Sequence, residues 1–446
     1  MVIGTISILW LSIGVPNYTM APALGRSERL LILSLRNTPP MEHTLRSLSL
    51  TTISLLSASI TLAQECSDGR YRTQMFNEVS VTSTVPFGNN TAVTGGAQTL
   101  YMDVYEPVGD ELSTRPVVLV AFGGSFVGGS RADVAPICRA FAQRGFVAVA
   151  PDYRIGFFLP NELATTMAVL RGAHDMKACV RFLRNSVEQG ENPYAIDPER
   201  ILIGGVSAGA ISALHAAYLD DESEWPSVLA SQYATLGGIE GNSGTPGVPN
   251  DVLGVFSFSG ALGDTTWIAP DDVPVCSVHE VGDDVVPYYT QEVNVFGFPT
   301  GLIASGSHDI HARTTALGLS NCLLSYPGTG HVGYFTTDLE NSMAFVLDFC
   351  ADLVCGAEVA CGNVVATVTG VEHGEVLRCY PNPAHDVLWI DGADGAWVRL
   401  VNSAGQTVLR TRISTDHHAL ELGGLPEGVY IMHAEGWSPR LVAIVR

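Results

Sequence analysis

The sequence predicts an α/β main domain with a doubly wound, mostly parallel sheet, followed by a small C-terminal β-sandwich domain. Two observations carry this prediction. Between about residues 79 and 350, short apolar runs typical of buried strands alternate with stretches typical of helices. From residue 376 to 446 the chain shows short β-type runs separated by turn residues. We therefore expect the sheet domain at 64–355, a linker at 356–375 and the β domain at 376–446.

Each element follows from its local pattern. Residues 98–105 alternate apolar and polar side chains, which predicts a partly exposed strand. Continuous apolar runs predict buried strands at 117–122, 146–150, 200–204, 254–259, 275–279 and 322–326. Helical spacing or composition predicts helices at 135–144, 167–189 and 338–353. The C-terminal strands are expected at 387–391, 397–402, 407–411, 428–434 and 440–445. The polar, Gly- and Pro-rich segment 220–250 fits no element and is either a lid over the site or a surface loop.

The N-terminal region predicts export. Residues 41–63 combine a basic residue, an apolar core and a small-residue end, which indicates a signal peptide cleaved before Gln64. The core is too short and too rich in Ser and Thr for a transmembrane helix, so none is expected in the mature chain. We interpret Met41 as the true start and residues 1–40 as an upstream extension from a mis-assigned start. The protein is thus predicted to pass through the periplasm and be secreted or held on the outer cell surface.

Charge and cysteine content exclude several classes of function. The net charge is −22, and Lys177 is the sole lysine, so the sequence has no basic stripe for a nucleic-acid partner. An exported chain with nine cysteines should contain disulfides and leave at least one thiol over. Cys350, Cys355 and Cys361 are expected to help staple the end of the main domain. The cysteines form no C-x-x-C pair, and His308 and His311 have no third ligand nearby, so we predict neither a cofactor nor a metal site. We expect the segment at 308–311 to face solvent and His215 to be a packing residue.

The most informative motif is Gly205-Val206-Ser207-Ala208-Gly209, which lies between a buried strand and an Ala- and Leu-rich helix. A Gly-x-Ser-x-Gly in this context is a nucleophile elbow, in which a sharp turn exposes the serine hydroxyl at the strand's C-terminal end. The helix N-terminus beside it favours the negative charge that develops in acyl transfer. The alternative is a strand-to-helix turn without chemistry.

A serine nucleophile needs a base, and the base needs an orienting carboxylate. The expected order is Ser, acid, His, with acid and His on loops after later strands. His331 follows the strand at 322–326, and two adjacent carboxylates, Asp283 and Asp284, follow the strand at 275–279. Asp283 is favoured as the acid, although the sequence leaves the choice open.

Backbone amides should complete the site by binding the oxyanion. One donor is expected at Ala208, and the other in the glycine turn that includes Gly124 and Ser125. Such a turn could also hold a phosphate, but it lacks the Gly-Lys-Ser/Thr ending of a P-loop and the spacing of a dinucleotide-binding loop.

Several ordered motifs resemble the α/β-hydrolase fold. They are VVLVAFGGSFVGGS at 117–130, PDYR at 151–154, VRFLR at 180–184, DPER at 197–200 and the elbow itself. The run is most similar to carboxylesterases and feruloyl-esterase-like carbohydrate esterases. Relatives often have His-Gly-Gly at the oxyanion turn where this chain has Phe122, and His-Gly where it has His279-Glu280.

The C-terminal region is similar to a second family. YPNPA at 380–384, Asp386 with VLWI at 387–390, and LPEGVY at 425–430 resemble type IX secretion sorting domains. That resemblance implies that the secretion machinery is a partner and that the domain directs passage through the outer membrane. A carbohydrate-binding or adhesion module is the alternative.

The resulting prediction is a secreted serine esterase with Ser207 as nucleophile, His331 as base and Asp283 as orienting acid. The resemblance implies acetyl, feruloyl or other small carboxylic esters as substrates. Two alternatives stay open: a peptidase of the same fold, and a catalytically inactive surface module that binds glycans or polymers.

Overall fold

The structure is a computed structural model that describes residues 65–446 apart from 67, 159, 296–297, 367–376, 403–406, 435–436 and 438–439. The predicted upstream extension and signal peptide lie outside the described residues, as does most of the second half of the predicted linker.

Within the described residues, the main domain is built on a nine-stranded sheet with a smaller three-stranded sheet beside it. Its strands, numbered along the chain, are β1 (Val79–Thr91), β2 (Ala97–Pro107), β3 (Arg115–Ala121), β4 (Val147–Pro151), β5 (Ile196–Val206), β6 (Gly254–Phe258), β7 (Ala261–Leu262), β8 (Val275–Glu280), β9 (Gln291–Val295), β10 (Phe298–Gly306), β11 (Asn321–Tyr326) and β12 (Asn363–Val365). The large sheet has the order β1-β2-β4-β3-β5-β6-β8-β11-β12. All neighbours from β4 to β12 are parallel, and β1 and β2 add an antiparallel edge.

Helices connect the parallel strands, as crossover connections require. They are α1 (Ala135–Ala142), α2 (Glu162–Glu188), α3 (Ala208–Tyr218), α4 (Tyr233–Leu236), α5 (Ser307–Leu317), α6 (Tyr334–Thr337) and α7 (Leu339–Val354). The central strands β3, β4 and β6 are buried at every residue, which explains their continuous apolar sequences. The long helix α2 begins where the Asn161 side chain accepts a hydrogen bond from the Ala164 amide.

The predicted fold class is confirmed: the sheet is mostly parallel, and each predicted buried strand and helix has a counterpart. The structure adds elements of this domain that the sequence did not indicate: β1, β7, the β9–β10 hairpin, the short strand β12, and the helices α4, α5 and α6. β12 lies inside the segment predicted as a linker, and it pairs with β11. The described first half of that segment is therefore attached to the large sheet.

Two disulfides join distant parts of this domain. Cys66 pairs with Cys355, and Cys322 on β11 pairs with Cys361 just before β12. The expectation that Cys355 and Cys361 staple the end of the domain agrees with these pairs. The expectation for Cys350 is wrong, because its thiol is free and buried in α7, where it packs in the core.

The C-terminal domain has its own hydrophobic core between two antiparallel sheets, which confirms the predicted small β domain. Its strands are β13 (Arg378–Tyr380), β14 (Val387–Asp391), β15 (Trp397–Val401), β16 (Thr407–Arg412), β17 (His417–Glu421), β18 (Gly428–Ala434) and β19 (Arg440–Ile444). One sheet has the order β13-β14-β17 and the other β16-β15-β18-β19. Alternating burial along β15 places Val398 and Leu400 in this core.

None of the helices in the described part of the chain combines the length and the apolarity that a membrane span requires.

Candidate active site

Ser207 occupies a sharp turn between β5 and α3. Its backbone has φ 54° and ψ −119°, a strained conformation for a residue other than glycine, and its amide donates to the Phe258 carbonyl at 2.8 Å. The two flanking glycines are required by close backbone contacts. A Cβ on Gly205 would lie 2.7 Å from the Ala121 carbonyl oxygen, and one on Gly209 would lie 2.5 Å from the Phe122 carbonyl oxygen. The turn therefore has the geometry expected of a nucleophile elbow.

The structure brings Ser207, His331 and Asp283 together in one hydrogen-bonded chain. With its proton on Nδ1, His331 donates to Asp283 Oδ2 at 2.7 Å, and its Nε2 accepts the Ser207 hydroxyl at 2.8 Å. The Asp283 side chain is completely buried, whereas the adjacent Asp284 is exposed. The sequence left these two carboxylates as alternatives, and Asp283 is the one that contacts His331.

Two histidines and two amides hold the Asp283 carboxylate. The His279 Nε2 atom lies 3.2 Å from Oδ2, while the amides of Val285 and Val286 donate to Oδ1 at 2.9 and 3.0 Å. Burial raises the pKa of Asp283, but the hydrogen bonds from His279 and His331 outweigh burial and hold this pKa well below its ordinary value. The carboxylate is therefore ionised wherever the protein works near neutral pH.

The predicted oxyanion donors lie beside the serine. A Cβ on Gly123 would come within 3.2 Å of the Ser207 Cβ, so the glycine turn packs directly against the nucleophile. Ser125 and Ala208 line the same cavity as Ser207. Gly124 has φ 128° and precedes Ser125 in the turn. The residues whose amides are predicted to bind an oxyanion are thus adjacent to the serine.

Phe122 stands where relatives often have a histidine that braces the oxyanion turn. Its ring stacks on Tyr153 with a centroid distance of 4.4 Å, and the Tyr153 hydroxyl donates to the Phe122 carbonyl at 2.7 Å. Both side chains are buried. Tyr153 therefore supports the turn in this chain, a role that the PDYR motif alone did not indicate.

A cavity of about 350 Å³ opens next to Ser207. Its wall is mainly apolar and includes Phe126 after the glycine turn, Leu170 on α2 and Ile211 on α3. Two further walls come from segments with no defined role in the sequence analysis. Their lining residues are Pro226, Ser227 and Val228 of the 220–250 segment, and Val293, Asn294, Gly301, Leu302, Ile303 and Ala304 of the β9–β10 hairpin.

The 220–250 segment is attached to α2 by buried cations. Lys177 donates to the carbonyls of Leu219 and Ile239 at 3.0 and 3.2 Å, and it is 3% exposed. Arg181 donates to the Glu240 carboxylate at 3.1 Å and to the Ser243 carbonyl at 2.8 Å. Residues 226–228 are the part of the segment that lines the cavity, and the rest of the segment does not reach it. The segment is therefore a cover over the cavity at 226–228 and a surface loop elsewhere; we call the whole segment 220–250 the cavity cover.

The remaining histidines considered from the sequence have structural partners. His215 is buried, and its nitrogens contact the Ile211 carbonyl and the Gly263 amide. Burial lowers the pKa of His215 to about 4. The segment at 308–311 was expected to face solvent, which is wrong for His311: it is buried in α5 and contacts Asn321 at 3.0 Å.

Comparison with known protein families supports both resemblances. Residues 102–243 match the BD-FAE family, and residues 378–441 match the secretion system C-terminal sorting domain. The sorting domain indicates type IX secretion to the outer surface or the extracellular space, which agrees with the predicted localisation.

Curated relatives match over a limited part of their length. The chain is 30% identical over 118 residues to fumonisin B1 esterase of Sphingopyxis macrogoltabida, covering 25% of this chain and 21% of that protein. It is 29% identical over 115 residues to a neuroligin-like protein of Caenorhabditis elegans, covering 25% of this chain and 15% of that protein.

Among solved structures, the apo form of Thermogutta terrifontis esterase 2 is similar, with 19% identity and a TM-score of 0.41 over 63% of this chain and 93% of that one. The same esterase phosphoramylated by tabun has 18% identity and a TM-score of 0.45, covering 64% of this chain and 97% of that one. The family matches over residues 102–243 and 378–441 confirm the two resemblances predicted from the motifs, one to α/β-hydrolase esterases and one to type IX secretion sorting domains.

Proposed function

We propose that this secreted protein is a serine carboxylic-ester hydrolase in which Ser207, His331 and Asp283 act as one unit. The observation that carries the proposal is the unbroken hydrogen-bonded chain from the Ser207 hydroxyl through His331 to the buried Asp283 carboxylate. A serine hydroxyl becomes a nucleophile when an adjacent base accepts its proton, and this arrangement supplies both the base and its orienting carboxylate.

The reaction proceeds in two steps. In the first, Ser207 attacks the ester carbonyl while His331 accepts the hydroxyl proton through Nε2, and the amides of Ala208 and the Gly124-Ser125 turn stabilise the oxyanion. His331 then donates that proton to the leaving alcohol, which leaves an acyl group on Ser207. In the second step, His331 accepts a proton from water while the water oxygen bonds to the acyl carbon. The bond between that carbon and Ser207 Oγ then breaks, His331 returns the proton to Ser207, and the carboxylic acid departs.

The substrates proposed are acetyl, feruloyl or other small carboxylic esters, free or attached to a polysaccharide. The fumonisin B1 esterase relative supports an ester substrate. The mainly apolar cavity beside Ser207, at the lower end of the size range of ligand pockets, supports a small apolar acyl group. The type IX secretion machinery is the proposed partner of the C-terminal domain.

Hydrolysis of short p-nitrophenyl esters by Ser207→Ala tests the proposal. We expect kcat/KM to fall at least about 10³-fold, because removal of the nucleophile disables the whole unit. A fluorophosphonate probe should label the parent protein and leave Ser207→Ala unlabelled. An unlabelled parent protein would support the inactive binding module instead, and full hydrolysis by Ser207→Ala would contradict the proposal.

A further inference from the structure

Glu280 is a buried acidic residue at the C-terminal end of β8, three residues before Asp283. It is 6% exposed, which is unusual for a carboxylate that none of the described lysine or arginine side chains pairs with. Burial raises the pKa of Glu280, and the hydrogen bond from the Gly333 amide opposes this rise. A group kept at such an energetic cost needs a structural or chemical reason.

The Glu280 carboxylate fills the space beneath the loop that carries His331. Its Oε2 atom accepts a hydrogen bond from the Gly333 amide at 3.2 Å. Its Oε1 atom lies 3.0 Å from where a Cβ would stand on Gly330 and 2.5 Å from where one would stand on Gly333. The carboxylate therefore contacts the loop on both sides of His331, and both contacts require the absence of a loop side chain.

The same loop is strained. Val332, the residue after His331, has φ 51°, which is a rare conformation for a β-branched residue. Residues 327–330 are exposed to solvent, so burial does not hold this part of the loop in place. A strained conformation persists only where surrounding contacts enforce it. Besides the bond between His331 and Asp283, the contacts of this region to β8 and the turn after it include the Gly333 hydrogen bond to Glu280 and a bond from the Gly282 amide to the Gly328 carbonyl. The Tyr334 hydroxyl also donates to the Val278 carbonyl at 3.1 Å.

We propose that Glu280 is a positioning residue that holds the strained loop and thereby keeps the His331 ring within reach of Ser207. This inference rests on the proposed function, since it concerns the orientation of the proposed base. Glu280 contacts neither Ser207 nor the cavity among the described residues. Its effect should therefore appear in the chemical step, measured by kcat and by the rate of acylation, and not in KM.

Three variants test the proposal in the full chain. Glu280→Ala removes the acceptor, and we expect kcat and the fluorophosphonate labelling rate to fall roughly 10- to 100-fold with KM unchanged, because small displacements of a catalytic group have large effects. Glu280→Gln keeps an oxygen acceptor for the Gly333 amide and should restore kcat to within about threefold. Glu106→Ala, which removes a half-buried carboxylate from β2, is the matched control and should leave kcat unchanged.

Gly333→Ala provides a second, independent test. Gly333 has φ −64° and ψ −27°, which any residue can adopt, so its added methyl group meets mainly the Glu280 carboxylate. We expect Gly333→Ala to lower kcat about tenfold in the parent chain and to have little further effect in Glu280→Ala, where the space is vacant.

The inference would be overturned by parent-like kcat in Glu280→Ala, or by equal losses of kcat in Glu280→Ala and Glu280→Gln. Multiplicative losses in the double variant would also contradict it. These outcomes are distinct from failure of the proposed function, in which the parent chain itself shows no Ser207-dependent hydrolysis or labelling.

Discussion

The residues around Ser207 and the segments that enclose its cavity are built on different principles. Ser207, Asp283 and His331 each follow a strand of the parallel sheet, and each is fixed by buried hydrogen bonds or close backbone contacts. The cavity walls at 226–228 and in the β9–β10 hairpin come from connections outside this sheet, the first irregular and the second part of the small three-stranded sheet. In the proposed function, the sheet therefore positions the reacting side chains, whereas the connections shape the cavity that receives the acyl group.

This comparison predicts that exchanging a single atom of a side chain at a strand end lowers kcat/KM more than any substitution in the cavity walls. Asp283→Asn should lower kcat/KM for a p-nitrophenyl ester roughly 10³- to 10⁴-fold, because an amide no longer fixes the His331 tautomer or stabilises its cation. Asp284→Asn is the matched control, since its side chain is exposed, and it should retain the parent value. Equal losses in the two variants would contradict the assignment of the acid.

The second prediction concerns the stability of the elbow. Gly209→Ala adds a methyl group among the backbone atoms of Ala121 and Phe122, which cannot move without disturbing β3. We expect a loss of about 3 kcal/mol in the free energy of unfolding, measured by urea denaturation. Gly96→Ala, where a Cβ would have no atom within 4 Å, should change it by less than about 0.5 kcal/mol.

The third prediction tests the attachment of the cavity cover. Arg181 and Arg184 both lie on α2. The Arg181 side chain is 1% exposed and donates hydrogen bonds to Glu240 and Ser243. Arg184 donates to the Asp251 carbonyl at the surface. Arg181→Met should lower the free energy of unfolding by about 2 kcal/mol, a value reduced because Glu240 is half exposed.

Arg184→Met, the matched control, should lower the free energy of unfolding by less than about 0.5 kcal/mol. Because neither arginine contacts the proposed catalytic residues, kcat on a short ester should remain within about twofold of the parent in both variants. A large loss of kcat in Arg181→Met would show that the cover and the strand ends are not independent.

The same division explains what sequence alone could predict. The elbow was recognisable because close backbone contacts require glycine at both Gly205 and Gly209. Both glycines lie within two residues of Ser207, so the pattern is visible in a short stretch of sequence. Asp283 and His331 were found because parallel strands bring their C-terminal ends to one edge. The choice between Asp283 and Asp284 depended on which side chain turns inward, and adjacent residues do not reveal this.

The hairpin and α5 were missed for physical reasons. The hairpin contains Pro299 and a glycine with positive φ at Gly301, which interrupt the alternation of a strand. Helix α5 begins with SHDIH and has little apolar periodicity, so its buried face, which includes Ile310, resembles a polar loop. Glu280 looked like a departure from the usual His-Gly pattern, and only the contact with Gly333 gives it a role.

The smallest predicted effect is the pH dependence of stability at Asp283. Its folded pKa is depressed, so its carboxylate stabilises the folded state fully above the ordinary aspartate pKa of about 4, and this contribution is lost as the pH falls through the folded value. Asp283→Asn lacks the titrating group. The difference in unfolding free energy between the parent chain and Asp283→Asn should therefore be larger at pH 7 than at pH 3. Asp284→Asn, measured in parallel, is the matched control, because the Asp284 side chain is exposed and neighbours Asp283 in sequence. A difference in unfolding free energy for Asp283→Asn that is independent of pH would mean that packing, and not charge, stabilises the carboxylate in the folded state. The strand ends would then differ from the cavity walls in side-chain packing and not in electrostatics.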